Sequence, residues 1–272
     1  MSVQLAETAW AKLNLALHVR GRRDDGLHEI ETLFAFVDAG DRLTARSAAR
    51  DELHVVGEFA DQLVDPFGNI AAKALAALPR PDGLAITLEK NLPVAAGLGG
   101  GSADAGAVFR LVRAGFGLPD DWRERAARLG ADVPACVESR ACIGHGTGTE
   151  LATVENDLAG TAVLLVNPRV PLATGPVFAA WNGVDRGPLP AGPASRIACE
   201  GRNDLEAPAI AQCPAIAEVL AELRDGPADL VRMIGSGATC FALFSRHDVM
   251  RKAAESLALR HPGWWQLRGS LK

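Results

Sequence analysis

Five glycines fall within the ten positions from Gly97 to Gly106, in the stretch PVAAGLGGGSADAGAVFR (93–110), which then gives way to a run that reads as helix. So many residues without a Cβ constrain the chain tightly, because the backbone there must turn sharply or pass very close to another group. A strand candidate at 84–88 (LAITL) precedes the stretch and helical spacing runs from Ser102 to Gly115 after it, so the order is strand, glycine loop, helix. A helix N-terminus presents unpaired N–H groups and a partial positive charge, which makes this order a physical recipe for holding phosphate. Ser102 stands where an N-cap would stand, and its hydroxyl would either close the helix or touch a phosphate. A glycine-rich turn with an ordinary serine cap would read the same way. Neither G-x-x-x-x-G-K-[ST] nor G-x-G-x-x-G is present, so the loop is of another kind.

At 272 residues, with 48% apolar and 22% charged residues, the chain has the composition of a folded globular protein with room for two domains. Its net charge of −5 argues against a nucleic-acid partner, whose phosphates call for clustered Lys and Arg. The five cysteines are scattered and include no C-x-x-C pair, which points to reduced, mostly buried thiols rather than a disulfide framework or a zinc site. The six histidines show no metal-ligand spacing, and no metal ligand is assigned. The N-terminus lacks the basic start and apolar run of a secretory signal, and no apolar stretch is long enough to span a bilayer. The expectation is a cytoplasmic protein with no membrane partner; the oligomeric state is left open.

Strand-like alternation at 10–19 and 29–37 flanks the turn residues GRRDDG (21–26), predicting a long hairpin. Further strands are expected at 52–57 and 84–88, and helices at 69–78, 102–115 and 121–129. A second domain is expected to begin near 155–160, giving domains of 1–157 and 158–272. In it, strands at 162–166, 228–234 and 239–244, with helices over 203–224 and 247–259, suggest helices on one antiparallel sheet. The Pro- and Gly-rich passage from Asn167 to Gly192 has room for at most one short helix.

Pro93, Gly97, Leu98 and Gly99, followed by small residues and a helix, resemble the second motif of the GHMP kinases, the superfamily of galactokinase, homoserine kinase and mevalonate kinase. AKLNLALHVRGRRDDGLHEIETLF (11–34) and GADVPACV (130–137) resemble segments of one branch, the kinases of 4-diphosphocytidyl-2-C-methyl-D-erythritol. GSGATCFALF (235–244) matches the superfamily's third, glycine-rich motif. Together the four segments run in the family's order over nearly the whole chain. The resemblance implies an α+β, two-domain GHMP kinase fold. Its N-terminal α/β domain would be of the ribosomal protein S5 domain 2-like type and its C-terminal α+β domain ferredoxin-like, with the active site in the cleft between them. It also implies ATP and Mg2+ as cofactors, and the 2-hydroxyl of the cytidyl-methylerythritol as phosphoryl acceptor.

Lys12 lies in the apolar stretch WAKLNLAL, and only five of the 28 basic residues are lysines, so a compact ammonium is wanted there or the side chain snorkels from an edge strand. Asp132 reads by itself as a cap on the next turn. The resemblance makes Asp132 the base that accepts the proton of the attacking hydroxyl and Lys12 its electrostatic partner. Asn14, two residues beyond Lys12, shares its strand face and would bind substrate or simply face solvent. Asn69 reads as a helix N-cap, and the resemblance adds a contact with adenine. Lys90 would line the same adenine pocket or be a solvated strand-end lysine. The nucleotide phosphates would lie along Pro93, Val94, Ala95, Ala96, Gly97, Leu98, Gly99, Gly100, Gly101, Ser102 and Ala103. His28 would bond cytosine, with Phe178 on one face of the base and Thr174 nearby. The family places Tyr before this histidine, whereas here the residue is Leu27 and the chain has no tyrosine.

Overall fold

The computed structural model describes residues 5–63 and 68–272. The chain gathers into two compact units, each assembled from separated stretches. The first takes residues 1–12, 40–94 and 99–139, and the second takes 13–39, 95–98 and 140–272. Strands β1 (Leu5–Arg22) and β2 (His28–Ala48) pair with each other as the expected hairpin, and each contributes to both units. Both strands outrun the alternating pattern that predicts them. Gly40 shows one reason, since a Cβ there would lie 1.9 Å from the carbonyl oxygen of Ala9; a glycine lets the strands continue through a polar segment.

In the first unit, Arg42–Ala48 of β2 pairs antiparallel with β4 (Gly83–Glu89), and β4 pairs in parallel with β3 (Glu52–Val56). Helices α1 (Ile70–Ala77), α2 (Gly100–Phe116), α3 (Trp122–Leu129) and α4 (Val133–Glu138) complete it, with α2 packed against α1 and α4. Residues 103–109 of α2 are buried without interruption, so this helix is covered on nearly every side and its small residues let the neighbours approach. A Cβ on Gly106 would stand 2.6 Å from the Cys136 carbonyl of α4. Helix α4 is absent from the sequence expectation because Val-Pro reads as a turn. Pro134 sits in its first turn, where a missing N–H costs nothing.

The second unit holds β5 (Cys142–His145) paired with Thr32–Phe34 of β2, and β6 (Glu150–Thr153) paired with β5. It also holds a four-stranded antiparallel sheet in the order β10-β7-β9-β8, from β7 (Ala162–Asn167), β8 (Leu230–Met233), β9 (Cys240–Phe244) and β10 (Trp265–Ser270). Five helices connect these strands: α5 (Thr174–Ala179), α6 (Ala194–Glu200), α7 (Glu206–Gln212), α8 (Ala215–Arg224) and α9 (His247–Arg260). Helices between β7 and β8, a direct β8-β9 hairpin, and α9 leading to the central-edge partner β10 make the split β-α-β arrangement of ferredoxin-like domains. Leu164, Val166, Val219, Leu223, Phe244 and Leu257 meet in its core. β5 and β6 are four residues each, too short for a period to register, and β10 (WQLRGS) is held by its register with β7 rather than by hydrophobic alternation.

The five cysteines are free, with only Cys199 exposed, as their scatter predicts. Among the described residues no helix is long and apolar enough to cross a membrane.

Candidate active site

Lys12, from β1, places its ammonium 2.9 Å from a carboxylate oxygen of Asp132, the residue just before α4. Lys12 is 3% exposed and Asp132 30%, so the lysine does not snorkel to solvent; its charge is buried while its partner keeps one open side. Asp132 occupies the N-cap position of α4 but makes no side-chain cap bond, which corrects the capping alternative: the carboxylate is turned to Lys12 instead. Gly99 passes over this pair. A Cβ on it would lie 2.8 Å from Lys12 Cε and 3.5 Å from Asp132 Oδ2, so the ion pair accounts for a glycine at that position.

Gly99, not Ser102, is the N-cap of α2, and Ser102 lies inside the first turn. The left-handed backbone of Gly99 (φ +62) swings the loop into the helix, and no side chain caps the first N–H groups. Gly100 and Gly101 make room for neighbours in the same way, a Cβ on them standing 3.4 Å from Lys90 Nζ and 3.3 Å from Ile70 Cδ1. Asn69 caps α1 as expected, its side-chain oxygen accepting from the Ala71 N–H at 2.9 Å.

Lys90 is 2% exposed, which overturns the solvated strand-end alternative. Its ammonium donates to Asp104 Oδ2 of α2 at 2.8 Å and to Asp41 Oδ2 of β2. The other Asp41 oxygen accepts from the Asn91 and Leu92 N–H groups, at 2.5 and 2.8 Å. Burial lowers the Lys90 pKa, but the two carboxylates outweigh it and the net direction is upward. Sequence reasoning missed Asp41 and Asp104; an aspartate among small apolar residues in LGGGSADAGAVF was the available signal for the second. Replacing Lys90 by Met keeps the stem but removes the counter-charge of the buried Asp41 and the donor to Asp104, so the variant is expected to lose about 3–5 kcal/mol of stability. Chemical denaturation checks this, and an unchanged midpoint would refute it.

The middle of the glycine loop, residues 95–98, is held within the second unit. The Ala96 carbonyl accepts from Thr239 N–H (3.2 Å) and Thr239 Oγ1 (2.5 Å), and Asn167 in turn donates to that hydroxyl at 2.8 Å. Gly97 (φ +79) lies so close to the 235–237 turn that a Cβ would stand 2.6 Å from the Gly237 oxygen and 2.8 Å from that of Ile234. The Gly-Ser-Gly turn thus packs on the loop. Asn203 fixes the turn by donating to the Met233 and Gly235 carbonyls, both at 2.8 Å. Asn14 is buried, not on a solvated face, and donates to Thr32 Oγ1 at 2.8 Å.

His28 opens β2 and packs against two rings of the same unit: Phe178 with centroids 5.0 Å apart, and Trp181 at 5.9 Å and 80°. Burial, and secondarily the charge of Arg22, hold its pKa below the ordinary imidazole value, so it is neutral at pH 7. Its Nε2 is buried with no hydrogen-bond partner. Thr174, the first residue of α5, has its hydroxyl 3.0 Å from that of Ser236, and Leu27 is 54% exposed. Trp181 escaped the sequence reading because nothing local ties it to His28. Among the described residues no group of three or more His, Cys, Asp or Glu is placed to hold a metal ion.

The family model for the N-terminal domain of GHMP kinases matches residues 67–140, and that for the C-terminal domain matches 191–262. Over 271 residues, all of this chain and 94% of the relative, it is 65% identical to a 4-diphosphocytidyl-2-C-methyl-D-erythritol kinase of Novosphingobium aromaticivorans. The chain belongs to this kinase family. A second member, from Erythrobacter litoralis, is 62% identical over 98% of this chain and its own full length. A crystal structure of a 4-(cytidine 5'-diphospho)-2C-methyl-D-erythritol kinase superposes with a TM-score of 0.80 at 33% identity, covering 98% of this chain and 99% of that one. Homoserine kinase from Cytophaga hutchinsonii, at 16% identity and a TM-score of 0.70 over 99% of this chain and 95% of that one, shares the fold. The fold is therefore the α+β, two-domain GHMP kinase fold that the sequence motifs imply. The kinases of this family draw their phosphoryl group from ATP.

Proposed function

We propose that the protein transfers the γ-phosphoryl of ATP to the 2-hydroxyl of 4-diphosphocytidyl-2-C-methyl-D-erythritol, a step of isoprenoid precursor biosynthesis in the cytoplasm. The observation that carries the reading is the Lys12–Asp132 pair lying directly under Gly99, at a helix N-terminus whose first N–H groups no side chain occupies. Family membership over the whole chain narrows the acceptor. The boundary proposed at 157/158 falls in the stretch that neither family match covers.

The residues fit a nucleoside triphosphate. Gly99, Gly100 and Gly101 let the backbone lie close over Lys12, Lys90 and Ile70, and α2, 17 residues long, begins there with its positive end and no side-chain cap from Gly99. In this reading Pro93 to Ala103 hold the phosphates, and Asn69 and Lys90 bound the adenine side. Mg2+ would be carried on the phosphates, where it neutralises their charge. ATP supplies the phosphoryl group and a leaving diphosphate. Asp132, one side open, accepts the hydroxyl proton as the acceptor oxygen attacks; Lys12, at 2.9 Å, holds that carboxylate in place and offsets charge that builds on the transferring group. Asn14, Thr174, His28 and Phe178 orient the acceptor, with the neutral His28 imidazole at the cytosine edge and Phe178, its ring 5.0 Å from that imidazole, at the face of the base.

The test is phosphoryl transfer with ATP and magnesium, in the presence and absence of the cytidyl acceptor. ATP consumption that ignores the acceptor would sink the reading. Leu27, exposed where the family carries Tyr, favours a second reading with a different small alcohol as acceptor. Under the first reading, Leu27→Tyr is expected to lower KM for the cytidyl acceptor about tenfold, since stacking on a base is worth ~1–3 kcal/mol. A Leu27→Tyr KM equal to wild type would favour the second.

A further inference from the structure

Three titratable groups are buried together beneath the first turn of α2: Asp41 from β2, Lys90 after β4 and Asp104 one turn into the helix. None of the established chemistry uses Asp104. The Lys90 ammonium can be matched by one carboxylate, and Asp41 is the one so employed, because its other oxygen is already satisfied by two backbone N–H groups. Asp104 is different. Its Oδ2 accepts from Lys90, while its Oδ1 is buried without a hydrogen-bond partner. An orphaned oxygen costs far less on a neutral acid than on an anion. With Asp104 neutral the cluster has no net charge; with Asp104 ionised it carries −1, at the end of a helix whose N–H groups face phosphate.

We propose that Asp104 is a positioning residue for nucleotide binding: as a neutral acid it tethers the Lys90 ammonium beside Gly100, and its ionisation turns the cluster against an anionic ligand. The distance of 3.4 Å between Lys90 Nζ and the position of a Cβ on Gly100 puts that ammonium against the loop. Burial pushes the Asp104 carboxyl up to about 8, against the pull of Lys90 and with the added push of Asp41. Lys90 and Asp41 are the charges that act on Asp104 most strongly. Of the helices packed on α2, α1 carries Lys73, which is exposed, and α4 carries Cys136 and Glu138, while the Lys12–Asp132 ion pair lies at the start of α4. The inference rests on the reading of the glycine loop as a nucleotide site.

The experiment is calorimetric binding of ADP with magnesium chloride between pH 7 and 9.5, for wild type, Asp104→Asn and Asp104→Leu. Wild-type affinity should fall roughly tenfold as the pH passes 8, the effect of one unit charge about 10 Å away at an effective dielectric of about 20. In Asp104→Asn, which keeps an acceptor for Lys90 but cannot ionise, that slope should vanish. Asp104→Leu should bind more weakly than Asp104→Asn at every pH, because nothing on α2 then holds Lys90. If either variant fails to fold, wild type alone decides. At pH 8.5, ADP binding repeated in buffers of different ionisation enthalpy should show uptake of a fraction of a proton, and no uptake overturns the inference. A flat wild-type profile, or an unchanged slope in Asp104→Asn, overturns it as well while leaving the kinase reading intact. No ADP binding at any pH would overturn both.

Discussion

Asp132→Asn is expected to lower kcat by about 10²–10⁴-fold while nucleotide affinity stays near that of wild type. The range is what a positioned general base contributes. Asparagine keeps the size and one acceptor of the carboxylate, so the 2.9 Å contact with Lys12 can survive as a hydrogen bond and the fold at the start of α4 need not change. What it cannot do is take a proton. The buried Lys12 would also lose its opposite charge, and charge stabilisation at the transferring group would shift with it. Steady-state turnover together with ADP titration separates the two effects: low kcat with intact binding supports the assignment, and near-normal turnover removes Asp132 from the role of base.

Gly97→Ala should cost stability and nucleotide affinity together. At φ +79 an L-residue pays ~1–2 kcal/mol for the left-handed backbone, and its Cβ would meet the Gly237 and Ile234 carbonyls at 2.6 and 2.8 Å. Both obstacles are backbone, so neither can swing aside as a flexible side chain would. Overpacking of this kind adds ~1–3 kcal/mol, giving a total of roughly 2–5 kcal/mol. Thermal unfolding with and without ADP checks the prediction. Substitution at Gly21, where a Cβ would meet nothing within 4 Å and no positive φ is imposed, supplies the contrast and should be nearly silent. A Gly97→Ala protein as stable as wild type would mean that the loop and the 235–237 turn can separate freely.

Much of the layout was legible because its signals are local. The alternation of β1 and β2 around GRRDDG, the N-cap at Asn69, and the strand, glycine loop and helix at 84–115 each depend on a few consecutive residues. The family motifs name Lys12 and Asp132, and these prove to be in contact. Where the reading went astray, the deciding partner was distant. Ser102 looks like a cap until Gly99 adopts a left-handed backbone over the ion pair, and Lys90 looks like a solvated strand end until Asp41 and Asp104, 49 and 14 residues away, enclose it.

By itself, then, the sequence determined the order of the elements around the loop and the glycines that leave room for close approach, while the pairing of Lys12 with Asp132 came from the family resemblance and is seen as a contact in the folded chain. Tertiary structure alone decided which backbone the loop leans on, which carboxylates surround Lys90, and that Trp181 backs His28. The physical reason is that turn and helix preferences act between neighbours along the chain. Burial and charge pairing act between groups that only the folded chain brings within a few ångströms.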